Sequence, residues 1–177
     1  DEAGNKEKFD GLSQATLADT TVPTPGNSGT ITTSSVTDIS LTLDWTKATD
    51  DISAGTAIRY WVYQSSSDNV SNANNVATIE TNGTLLNAGG TLDINTLAVS
   101  SLTPSTTYYY NVIAVDEAGN KERFTGVSQA TNADTTVPTP GNSGTITTAS
   151  VGSTGLTLNW TKARSEERRV GKECRSR

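Results

Sequence analysis

Leu102-Thr-Pro-Ser-Thr-Thr-Tyr-Tyr-Tyr-Asn-Val-Ile-Ala-Val115 is the stretch on which the reading of the fold turns. A proline-led turn runs into nine residues, 107–115, dense in aromatic and β-branched side chains. At a period of two, Tyr108, Tyr110, Val112 and Ala114 share one face and Tyr109, Asn111, Ile113 and Val115 the other. That composition and period predict a strand. Asp116-Glu-Ala-Gly-Asn120 is a turn, after which Lys121–Gln129 returns as a closing strand.

Working outward, other short segments carry the same signal. Thr30–Ser35 is β-branched, and Ile39-Ser-Leu-Thr-Leu-Asp-Trp45 alternates apolar and polar residues throughout, as a half-buried strand does. Ala57–Tyr63 puts Ile58, Tyr60 and Val62 on one face and Arg59, Trp61 and Tyr63 on the other. Val76–Glu80 reads as a further short strand, followed by an Asn82-Gly83 turn of the kind that needs positive φ. Leu92–Val99 is another strand. No stretch shows a helical apolar period. Seven or eight short strands in about 110 residues, punctuated by turns, predict an all-β, antiparallel sandwich. Trp45 is expected at the centre of its core, facing Tyr60 and Val112.

One block occurs twice. Residues 1–48 and 116–163 align without a gap and match at 38 of 48 positions, an offset of 115 residues, which is the period of a domain. The block straddles a junction, because Val22-Pro-Thr-Pro25 within it is too proline-rich for a central strand. The expected organisation is the last strand of a preceding repeat at 1–18, a complete domain at 19–132, and the first strands of a following repeat at 133–163. Similarity between the copies stops at Arg164. Residues 164–177 resemble a translated sequencing adapter and are read as a non-native tail.

Composition excludes several chemistries. Six of the 13 cationic residues and three of the 19 acidic ones lie in 164–177, so residues 1–163 carry 7 Lys+Arg against 16 Asp+Glu. That acidity disfavours nucleic acid and anionic membranes as partners. The one cysteine, Cys174, is in the tail and there is no histidine, so thiol nucleophiles, disulfides, Cys/His zinc sites and histidine bases are excluded from 1–163. No apolar run has membrane-spanning length. Catalysis is not expected.

Leu102-x-Pro-x-Thr-x-Tyr108 followed by Tyr110, Val112 and Ala114 resembles the penultimate-strand signature of fibronectin type III domains. Trp45 on the second strand, Tyr60-x-Val62 on the third and the entry Val22-Pro-Thr-Pro25 resemble that family too. The resemblance implies an immunoglobulin-like sandwich with Greek-key connections, in which Tyr108 is a corner tyrosine bonded back to the chain near Leu102. The period is long for the family, with the excess between Ser65 and Leu102. Residues 116–120 contain no Arg-Gly-Asp, so integrin recognition does not carry over. The combination looks most like the bacterial branch found as tandem repeats in exported proteins. It implies a non-catalytic spacer or adhesive segment of a larger extracellular or cell-surface protein. Its partners would be neighbouring repeats, and polysaccharide or a surface protein. The alternative is an accessory carbohydrate-binding module of a secreted polysaccharide-degrading enzyme.

Two constellations are candidate sites. In such a fold the chain entry, the second-to-third-strand loop and the last hairpin loop share a pole. That gathers Asp19, Asp50, Asp51, Asp116, Glu117 and Asn120, whose oxygens suit Ca²⁺. The same residue types are ordinary turn formers, and that reading is preferred. Trp61, Tyr63 and Tyr109, beside Arg59 and Arg123, are expected together on one outer sheet face, where open aromatics stack on sugars or anchor a partner. Cross-strand aromatic pairing is the preferred reading there.

Overall fold

The computed structural model describes residues 2–4, 6, 11 and 14–164. Most of the strand expected in the preceding repeat, and residues 165–177 of the adapter-like tail, lie outside the described residues. Residues 14–18 are described; they are exposed and carry no strand. The chain divides into two compact units, residues 1–132 and 133–177.

In the first unit the strands are β1 (Ile31–Ser34), β2 (Leu41–Trp45), β3 (Arg59–Ser65), β4 (Thr84–Leu85), β5 (Thr91–Leu92), β6 (Thr96–Val99), β7 (Thr107–Val115), β8 (Lys121–Arg123) and β9 (Val127–Ala130). One sheet has the order β1-β2-β6. The other is built on the β3–β7 pair, with β4 and β5 flanking β3, and β8 and β9 flanking β7. Every named pairing is antiparallel. Ile31, Leu41, Leu43 and Trp45 from the first sheet join Tyr60, Val62, Tyr110, Val112 and Ala114 from the second in one buried cluster. The domain is therefore an antiparallel β-sandwich.

Trp45 is 5% exposed, its ring centroid 5.9 Å from that of Tyr60. Tyr60 in turn meets Phe124 edge-on at 6.3 Å, and its hydroxyl accepts the Ala48 N–H at 2.7 Å. The Tyr108 hydroxyl accepts the Thr103 N–H at 3.0 Å, which is the corner that the resemblance implies.

The structure departs from the sequence reading at four places. Ile39 is not on β2 and is 49% exposed. The Thr37 hydroxyl accepts the N–H of Ile39 and of Ser40, closing a local turn that competes with the ladder. The single strand expected at 92–99 is two, because the chain changes sheets at Asp93: β5 pairs with β3 and β6 with β2. Asp93 takes φ +56°, and its carboxylate meets Lys47 Nζ at 2.6 Å. The closing strand is also interrupted. Phe124 is fully buried between β8 and β9, and Thr125 bonds across to Gly29.

The fourth departure matters most. Val76–Asn82 is an α-helix, α1, not a strand, and Gly83 ends it at φ −93° instead of making a hairpin turn. Asn75 caps it, its side chain accepting the Thr78 N–H at 2.8 Å. Val76 and Ile79, three residues apart, turn to the outer face of β3 and β7, where Tyr63, Ile113 and Val115 form a second buried cluster with Ile79 and Ala73. The β-branched residues of α1 favour strand locally, but the cap and this burial override them. The long stretch between Ser65 and Leu102 thus builds a cover over a sheet face.

The second unit contains β10 (Ile146–Ala149) and β11 (Thr157–Trp160), an antiparallel hairpin that pairs Ile146 with Trp160 just as β1–β2 pairs Ile31 with Trp45. Its apolar residues are exposed, Trp160 at 66%.

Candidate functional site

The acidic pole is assembled by three segments of the first unit. Asp19 lies on the entry segment, where its Oδ1 accepts the Thr21 N–H at 2.9 Å. Asp50 and Asp51 lie on the β2–β3 loop. Asp50 Oδ2 accepts from the N–H groups of Ile52 (3.2 Å) and Ser53 (2.8 Å), an Asx turn that aims its other oxygen inward. Asp51 Oδ2 accepts the Thr21 hydroxyl at 3.3 Å, tying the loop to the entry segment. Carboxylate oxygens of Asp19, Asp50 and Asp51 lie within 4.8 Å of one another.

The β7–β8 turn contributes differently. Asp116 is 6% exposed; its two oxygens accept from the backbone and side-chain N–H groups of Asn120, both at 2.8 Å. The Asn120 side chain also donates to the Asp19 carbonyl at 3.3 Å, and the Glu117 N–H donates to the Ser53 hydroxyl at 3.3 Å. Asp116 and Asn120 therefore brace the pole, while the exposed Glu117 joins it through its backbone. Of the six predicted residues, three converge as ligand-type oxygens. Ser53 and Thr21, which fasten the loops together, were not singled out from the sequence; the signal for Ser53 was its place three residues after Asp50.

Asp19 Oδ2 and Asp50 Oδ1 are buried and have no hydrogen-bond partner among the described residues. Oxygens in that condition are costly unless something positive meets them. Three converging carboxylates with hard oxygen donors fit Ca²⁺ chemistry, which takes 6–8 oxygens and accepts irregular geometry.

The aromatic trio does not form an open face. Tyr63 is 5% exposed, enclosed by α1 and by Gly83, where an added Cβ would stand 2.9 Å from the Tyr63 Cβ. Burial, and then the charge of Glu80, push its phenol pKa upward. Trp61 is half-buried. Lys121 Nζ sits 4.3 Å from its ring centroid, held also by Glu80 at 2.6 Å. On Trp61 lies Gly90 at φ +69°, so close that any Cβ there would collide with the indole. Arg59 pins that loop by donating to the carbonyls of Gly89 and Gly90 at 3.1 and 3.0 Å. Tyr109 is half-buried between Ser65 and Ser128 on the neighbouring strands. The expectation of exposed aromatics on one face is corrected: the 66–92 segment lies over two of them.

No family model and no curated protein matches this chain. Solved structures do. The third fibronectin III domain of the human KIAA0343 protein is 17% identical with a TM-score of 0.47, covering 73% of this chain and 97% of that one. A domain of human fibronectin type III domain containing protein 3 is 17% identical with a TM-score of 0.44, covering 70% and 94%. The chicken CNTN1 FN1–FN3 structure is 15% identical with a TM-score of 0.43, and the chain spans about a third of its length. These are likenesses of fold. No helix among the described residues is long and apolar enough to cross a membrane.

Proposed function

We propose that the chain is part of a tandem array of fibronectin type III-like domains of the bacterial type, serving as a non-catalytic spacer or adhesive segment of a larger extracellular protein. One complete domain spans 19–132. The first strands of the next repeat lie at 133–163, the last strand of the previous one at 1–18, and 164–177 is foreign. The carrying observation is the repetition of residues 19–48 at 134–163 with the same strand register and the same kinked turn. Asn27 and Ser28 have φ of 49° and 55°, and Asn142 and Ser143 have 50° and 52°. Neighbouring repeats are its first partners, and surface proteins or polysaccharides the external ones. Pulling the chain between its ends tests the spacer reading. One cooperative step should release about 400 Å, the length of residues 19–132 at about 3.5 Å each. Extension without a step defeats it.

A second reading concerns the pole: Asp19, Asp50 and Asp51 hold Ca²⁺ and stiffen the chain entry. The two unpartnered buried oxygens favour it. Calorimetry should show saturable Ca²⁺ binding, with a rise in melting temperature that Asp50→Asn removes. No heat at millimolar Ca²⁺ sinks this reading and leaves the spacer reading standing.

A further inference from the structure

Asn82-Gly83 is the one Asn-Gly pair of the chain, and the fold makes it a helix end where a hairpin turn was expected. Asn82 is the last residue of α1 and is exposed. The Gly83 N–H donates to the Ile79 carbonyl at 2.9 Å, closing the helix. Gly83 lies against β3, where an added Cβ would stand 2.8 Å from the Ile79 oxygen and 2.9 Å from the Tyr63 Cβ. Directly after it, Thr84 and Leu85 pair with Gln64 and Tyr63, and the Leu86 N–H donates to the Val62 carbonyl at 2.8 Å. This dipeptide therefore joins the two elements, α1 and β4, that lie over Tyr63, Ile113 and Val115. An exposed asparagine before a glycine also has a chemistry of its own. With no Cβ on the following residue, that residue's nitrogen can approach the asparagine Cγ unhindered.

We propose that Asn82 is a site of spontaneous deamidation that α1 holds shut, and that its conversion to isoaspartate releases the cover from the outer face of β3 and β7. In the reaction the Gly83 nitrogen gives up its proton and attacks Asn82 Cγ. The new C–N bond closes a succinimide ring, the Cγ–Nδ2 bond breaks, and the side-chain nitrogen leaves as ammonia with that proton. Water then opens the ring. Attack at Cγ leaves aspartate; attack at the main-chain carbonyl leaves isoaspartate, in which the chain runs through Cγ and is longer by one methylene. α1 blocks the first step twice. Ile79 holds the Gly83 N–H, and the helical backbone at Asn82 turns that nitrogen away from its own side chain. A helix of seven residues opens readily, so the site reacts from the opened state. The isoaspartate then prevents closure. Its added methylene moves the Gly83 N–H from Ile79 and shifts Thr84 and Leu85 off Gln64 and Tyr63. The new carboxylate also lies at the C-terminal end of α1, where negative charge is unfavourable. Tyr63, Ile113 and Val115 become an uncovered apolar face.

Ageing the full-length protein at mildly alkaline pH, beside a free peptide of residues 76–90, tests the gate. Deamidation at Asn82 is followed by peptide mass mapping. The unsubstituted protein should react at least about tenfold slower than the peptide. Asn75→Ala, which removes the cap, should react about fivefold faster than the unsubstituted protein, and Asn75→Asp at its rate. Equal rates in protein and peptide overturn the proposal, as does an Asn75→Ala rate no faster than the original. The isoaspartyl form is then separated chromatographically and its amide exchange compared with that of fresh protein and of Asn82→Asp, which has the charge without the methylene. The Ile79 and Leu86 amides of the isoaspartyl form should exchange about tenfold faster than in either, with those of β2 and β7 unchanged. Exchange at Ile79 and Leu86 that does not change overturns the release of the cover.

Discussion

Trp45 and Trp160 are the same residue in the same local structure, and only their surroundings differ. Trp45→Ala should cost about 3–5 kcal/mol, a large part of the roughly 5–15 kcal/mol that holds a domain together. Trp160→Ala should change the unfolding free energy of the first unit by no more than about 0.5 kcal/mol. Urea unfolding followed by far-UV circular dichroism checks both. Equal effects would mean that Trp45 is not the centre of the core. Tyr108→Phe keeps the ring and removes the acceptor for the Thr103 N–H, for an expected loss of about 1 kcal/mol. Trp45 and the corner tyrosine were legible because strand alternation and the Leu102–Tyr108 spacing are local signals. The burial of Tyr63 was not. Its parity on β3 places it on the outer face, and no nearby residue announces a cover arriving from 66–92.

The element that changes the reading of that face is α1. Seven residues make a helix that is marginal alone, so its order depends on the Asn75 cap and on Ile79 packing against β3 and β7. Asn75→Ala should destabilise the domain by about 0.5–2 kcal/mol. It should also speed amide exchange of Thr78 and Ile79 ahead of the core strands. Asn75→Asp, an equally good cap, should restore both. A loss that Asp fails to restore would point away from capping. The capping residue and the Val76/Ile79 spacing were both present in the sequence. Against them stood β-branched residues and an Asn-Gly pair that more often means a hairpin. The choice falls to the side that buries Ile79.

Across the whole first unit, three buried phenols share one response to pH. Burial raises the pKa of Tyr60, Tyr63 and Tyr110; the Ala48 N–H opposes the shift at Tyr60, Glu80 reinforces it at Tyr63, and Tyr108 adds to it at Tyr110. Each folded pKa lies above the unfolded value near 10. In that window the folded state holds protons that the unfolded state has lost. The stability from these groups is thus complete below about pH 10 and is lost as pH rises toward the folded values. Each phenol steepens the fall by up to about 1.4 kcal/mol per pH unit. The phenolate absorbance of these three should therefore rise together with loss of far-UV ellipticity in one cooperative step. Smooth ionisation of Tyr60, Tyr63 and Tyr110 before any loss of structure would contradict their burial.

Taken alone, the sequence determined the all-β class, the places of most strands, the inward faces of β2, β3 and β7, and the duplication of 1–48 at 116–163. Each follows from a periodicity, a turn residue or an identity that lies within a few residues or can be aligned directly. Tertiary structure decided the rest. It made Val76–Asn82 a helix, divided 92–99 between two sheets, laid a loop on Trp61 and a helix on Tyr63, and engaged both Asp116 oxygens with Asn120. In each case a long-range partner outweighed local preference: Ile79 reaching the β3–β7 face, Asp93 meeting Lys47, Gly90 lying on Trp61, Asn120 capturing Asp116. The two hairpins show the same division, since nearly identical strands are core in the first unit, where the β3–β7 sheet covers them, and exposed among the described residues of the second.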